Sequence, residues 1–296
     1  MNALGCNFRN SAGILGDAIP AWQNEIITGS APAPYVYRQA VPQLRSLVQQ
    51  ILKPGHAALL VDLIFGLIAI YASGLLHQGR DSDPRKFVWG SILGLLSIIC
   101  SIPNDKPETV AMICLTVLFS HFAMSKQRTK ALLVSLLFLA VRPEMSVFAG
   151  LSSLLTYESS ATQIHKRLSW LVITFGILYI LLAKFVLWPH SKYPAGTPTI
   201  TLVLNFTSMT ALAFLPLALG LLVLNASQIP MHTERRAQMS GNVTIALFNS
   251  SWISAVLFLG KIDEIRLMTP VLSSSALLFL AIMERKSSKQ LVQVDA

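Results

Sequence analysis

The sequence predicts an all-α, polytopic transmembrane helix bundle, and three observations carry that reading. Of 296 residues, 53% are hydrophobic and only 12% charged, about half the charged fraction of a soluble domain. Apolar blocks such as 57–76, 168–187 and 243–259 are each long enough, at about 1.5 Å per residue, to cross a hydrocarbon core about 30 Å thick. The stretches between such blocks are short, so no soluble domain is left over.

Residues 1–16 hold Asn7, Arg9 and Asn10 and no apolar run, and read as neither signal peptide nor span. Over 42–53, Val41, Leu44, Leu47, Val48, Ile51 and Leu52 recur at three- and four-residue spacing with Gln43, Arg45, Gln49 and Gln50 opposite them. That spacing predicts an amphipathic helix on the membrane surface, with Pro42 in its first turn and Pro54-Gly55 ending it. Seven spans follow, near 57–76, 87–102, 109–124, 168–187, 209–224, 243–260 and 267–283. Between 130 and 156 lie two apolar stretches too short to cross, separated by Arg142-Pro143-Glu144, which predicts a short re-entrant helical hairpin or one broken helix. The organisation is thus an N-terminal segment (1–56), a transmembrane bundle (57–283) and a basic tail (284–296).

Short basic loops set the orientation. With 77–86 inside and 130–156 folded as a hairpin, Lys126, Arg128, Lys130, Lys166, Arg167, Arg235, Arg236, Arg285, Lys286 and Lys289 all fall inside. The segments 1–56, 103–108, the Arg142–Glu144 turn, 188–200 and 260–266 then lie outside. A single span over 130–156 would reverse everything after it.

The net charge of +9 is spread in twos and threes over these loops with no basic stripe, which excludes nucleic acid as a partner. Three cysteines give no disulfide framework, and the scattered histidines have no ligand spacing, so no metal is expected. Four Asn-x-Ser/Thr tripeptides, at Asn205, Asn225, Asn242 and Asn249, lie in or against apolar spans and read as fortuitous.

The outer segments hold the residues that could carry chemistry. Asp17 has the character of a carboxylate base, and equally of a helix N-cap. Arg38, ending Pro34-Tyr35-Val36-Tyr37-Arg38, can grip a phosphate through two parallel hydrogen bonds or bind lipid headgroups. Arg142 and Glu144 are charges in an apolar stretch, where such groups line a cavity or pair with each other. Asp105, Glu264 and Arg266 occupy solvated turns. Asp62, inside the first span with no obvious partner, reads as facing the bundle interior, and would mark an ion path if the chain were a small-solute or lipid transporter.

Taken in order, Gly16-Asp17, Pro34-Tyr35-x-Tyr37-Arg38-x-x-x-Pro42, Asp105-Lys106-Pro107, Arg142-x-Glu144 and Gly260-Lys261-Ile262-Asp263-Glu264-Ile265-Arg266 resemble the pattern of GT-C-type integral-membrane glycosyltransferases, especially uncharacterised bacterial relatives. The resemblance implies transfer of a sugar from a polyprenyl-phosphate carrier to a glycan or glycolipid acceptor in a bacterial plasma membrane. Asp17 would be the base. Arg38, Arg142 and Arg266 would clamp phosphate or acceptor, with Glu144 and Glu264 orienting them and Asp105 lining the substrate site. The polyprenyl-phosphate sugar would be the donor and membrane lipid the medium. The family places a span before its Asp-bearing loop, so the resemblance implies a member lacking that first span.

Overall fold

The computed structural model describes residues 21–31, 38–79, 83–101, 108–156, 163–190, 207–229, 240–259 and 267–280. Within these residues every regular element is helical and no strand occurs. We number the helices α1 (Ala21–Ile27), α2 (Ala40–Val48), α3 (Pro54–Gln78), α4 (Pro84–Ser101), α5 (Thr109–Met124), α6 (Arg128–Val141), α7 (Pro143–Thr156), α8 (Gln163–Leu182, continued by a π turn, Ala183–Leu187), α9 (Met209–Ala226), α10 (Ser240–Leu259) and α11 (Thr269–Leu280). Three are long and apolar enough to cross a membrane: α3, α8 with its π turn, and the 241–258 stretch of α10.

The packing has features expected of a bundle surrounded by hydrocarbon. Large apolar side chains point outward, among them Leu59, Leu63, Ile64, Leu67 and Tyr71 along α3 and Trp170, Phe175, Leu178 and Leu182 along α8. Small and hydroxyl side chains point inward, including Ser73, Ser97, Ser120, Ser135, Ser146 and Ser169. With no hydrophobic gain to be had from burying leucine against helices when lipid surrounds them, close backbone approach and interhelical hydrogen bonds hold such an assembly. Gly90 and Gly94 show the first device. They face α3 one turn apart, and a Cβ on Gly90 would lie 2.5 Å from the Ser73 carbonyl oxygen. Asn225 and Asn249 show the second. Asn249 Nδ2 donates to Asn225 Oδ1 at 2.9 Å and to Ser274 Oγ at 3.0 Å, tying α9, α10 and α11 together. Both asparagines are fully buried, so their glycan-acceptor spelling is indeed incidental to what the side chains do.

A proline disfavours helical backbone in the residue before it, and Arg142 accordingly has φ −157° and ψ 89° between α6 and α7. The two helices fold back on each other there. A Cβ on Gly150 would meet Ile173 and Val172, and one on Gly176 would meet Ser146 and Val147, so α7 runs antiparallel to α8. Thr129 Oγ1, at the start of α6, lies 3.3 Å from His165 Nε2 at the start of α8. Were α6 and α7 one straight rod of 28 residues, at 1.5 Å per residue those two positions would be about 40 Å apart.

The surface helix departs from expectation in two ways. It is Ala40–Val48, and Pro54 opens α3 instead of closing α2, because a first-turn position needs no N–H. Arg45, expected on the outward polar face, is buried. Arg45 and Val41 face the bundle, while Leu44, Leu47, Ile51 and Leu52 are exposed together with Gln43 and Gln50, so the inward face is mixed and does not follow the polar–apolar division of the sequence.

Candidate functional site

Four charged side chains meet at one end of the bundle. Pro143 starts α7 and leaves Glu144 in its first turn; Glu108 sits at the N-cap of α5 without capping it through its side chain. Arg38 precedes α2, where the Gln39 side chain reaches back to α1, donating from Nε2 to the Ile26 carbonyl at 2.6 Å. Arg38 Nη1 donates to Glu108 Oε1 at 2.7 Å and Arg38 Nη2 to Glu144 Oε1 at 3.1 Å. Arg142 Nε donates to the same Glu144 oxygen at 2.8 Å. The quartet therefore balances two guanidinium groups against two carboxylates.

Its floor is aromatic and sulfur-bearing. The Arg142 guanidinium lies 4.6 Å from the centre of the Trp252 ring, on α10, where ring quadrupole and cation attract. Arg142 Nη1 also approaches Met112 Sδ at 3.3 Å, and Trp252 Nε1 donates to the Leu267 carbonyl at 2.6 Å. Arg38 and Glu108 are 1% exposed, whereas the Glu144 side chain is 30% exposed. One side of the quartet is sealed into the bundle and the other is open.

Of the residues expected from sequence, Arg38, Arg142 and Glu144 come together here. Asp17, Asp105, Glu264 and Arg266 lie outside the described residues. Glu108 was missed, because it was read as the edge of a loop. A usable signal was present, since Pro107-Glu108 and Pro143-Glu144 are the same dipeptide, each at a helix start. Asp62 is corrected. It does have a partner, Arg45, whose Nη2 donates to Asp62 Oδ2 at 2.5 Å, and the carboxylate is 27% exposed. The pairing was hidden because Arg45 was assigned to the water-facing side of α2. Among the described residues no group of three or more His, Cys, Asp or Glu could hold a metal ion.

A cluster of basic residues lies at the opposite end. Lys126 and Arg128 flank the α5–α6 turn, Lys130 stacks over Phe122, and Thr129 meets His165, next to Lys166 and Arg167. No family model, curated protein or solved structure matches the chain.

Proposed function

We propose that the chain is a membrane-embedded glycosyltransferase-like protein of the GT-C type, with seven spans and the α6–α7 hairpin, that transfers a sugar from a polyprenyl-phosphate carrier to a glycan or glycolipid acceptor. The observation that carries this reading is the meeting of Arg38, Arg142 and Glu144, positions up to 106 residues apart, at the end of the bundle away from the basic turns. Basic turns on the inner side would give that end to the outer face of a bacterial plasma membrane, where lipid-linked sugars and their acceptors meet. Asp17 is the proposed base, and Arg266, Glu264 and Asp105 the proposed remaining contacts to substrate.

The test is transfer by purified protein in lipid nanodiscs, using a panel of polyprenyl-phosphate sugars and added acceptors, with Asp17→Asn in parallel. Transfer that requires Asp17 supports the reading; absence of transfer across the panel counts against it. One observation favours a second reading. The quartet is charge-neutral and half of it is sealed, which also suits a docking clamp that fixes residues 38–48 to α5 and the hairpin. For a transporter, the Asp62 carboxylate would act while paired with Arg45.

A further inference from the structure

The quartet leaves two polar atoms uncommitted, and both belong to its open side. Arg142 uses Nε on Glu144 and Nη1 on Met112, and Nη2 has no hydrogen-bond partner among the described residues although the side chain is more than nine-tenths buried. Glu144 takes both arginines on Oε1, and no other side chain among the described residues bonds Oε2. The Glu144 carboxylate is partly exposed and Arg142 lies against it, so both groups face the open side of the quartet. One is a fixed donor bearing two hydrogens and the other a fixed acceptor, carried on residues two positions apart around a proline.

We propose that Arg142 Nη2 and Glu144 Oε2 together form a recognition point for the hydroxyl groups of a pyranose, and that this pair is not a phosphate clamp. A hydroxyl is at once donor and acceptor, so two neighbouring sugar hydroxyls can give a proton to Oε2 and take one from Nη2. A phosphate cannot donate when ionised, and would bring its charge beside Glu144 where both guanidinium charges are already answered by Glu108 and Glu144. The packing of Arg142 on Trp252 fixes the donor's direction before the ligand arrives, which limits the entropy lost on binding. This inference rests on the glycosyltransferase reading for its biological setting, and of the phosphate-or-acceptor role that the sequence resemblance gave to Arg142 it keeps only contact with sugar.

The experiment is ligand binding, separate from transfer. The full chain in nanodiscs is titrated with methyl glycosides of glucose, galactose and mannose, and with inorganic phosphate, by saturation-transfer NMR. At least one glycoside should bind, and Glu144→Gln and Arg142→Lys should each weaken it by about ten- to a hundredfold, the range for one hydrogen bond to an ionised group. Each variant's melting temperature is read alongside. Should both variants unfold, the wild-type chain still decides, because the bound glycoside should shield Glu144 from carbodiimide modification and phosphate should not. No glycoside binding, binding indifferent to both variants, or protection by phosphate alone overturns the proposal. Glycoside binding without transfer from any polyprenyl-phosphate sugar would retain the recognition point and reject the enzyme reading.

Discussion

Burial gives the charged residues their weight. Arg38 and Glu108 are withdrawn from solvent almost completely, and the removal of one member of such a pair strands the other at a cost of about 3–5 kcal/mol, whereas an apolar pair of similar volume is often neutral. Arg38→Ala should therefore lower stability by about 3–5 kcal/mol in detergent unfolding, and Arg38→Met with Glu108→Leu should recover most of it. If the double variant is as unstable as the single, the ion pair is not what Arg38 contributes. The Arg45–Asp62 pair is partly exposed, so Arg45→Ala should cost less, about 1–2 kcal/mol, and the exchange Arg45→Asp with Asp62→Arg should restore part of it. Sequence alone singled out Arg142 and Glu144 as a pair, because ions within an apolar run demand a reason. It could not show that Glu144 holds two arginines, since nothing local links position 38 to 144.

The helices were legible wherever hydropathy alone decides, and the break at Arg142 was legible because proline constrains its predecessor. What was not legible was the direction a mixed helix faces. The period of α2 separates leucines from polar residues, but membrane protein surfaces can present either face to lipid, and only the carboxylate of Asp62 on α3 turns Arg45 inward. The close approach of α3 and α4 is a property of Gly90 and Gly94, so Gly90→Leu should cost about 1–3 kcal/mol or more through overpacking against the Ser73 backbone. Gly220, in α9, would meet nothing within 4 Å if given a Cβ. Gly220→Ala should be neutral or stabilising by up to about 1 kcal/mol. Equal losses at the two sites, by thermal melting of the purified protein, would show that helix propensity and not packing governs the glycines.

At the scale of the whole molecule, the interior mixes aromatic and aliphatic side chains such as Phe119, Phe138, Phe248 and Trp252 with buried hydroxyls, while leucines of α3 and α8 face outward, as expected where the surrounding solvent does not reward the burial of every leucine. The same solvent explains the separation of charge, with the Arg–Glu quartet at one end and Lys126, Arg128, Lys130, Lys166 and Arg167 at the other. Composition and block lengths predicted that bundle, while the assembly of the quartet from three distant segments is a tertiary event that no window of sequence contains. The candidate residues are proposed to share a single membrane face. Single cysteines introduced at positions 17, 105, 144, 264 and, as the opposite reference, 126 and 166, in a background with Cys6, Cys100 and Cys114 replaced by serine, are treated in intact cells with a membrane-impermeant maleimide. Labelling is expected at 17, 105, 144 and 264, with protection at 126 and 166 until the membrane is permeabilised. Labelling that places 17 or 264 on the side of 126 and 166 would contradict a shared site.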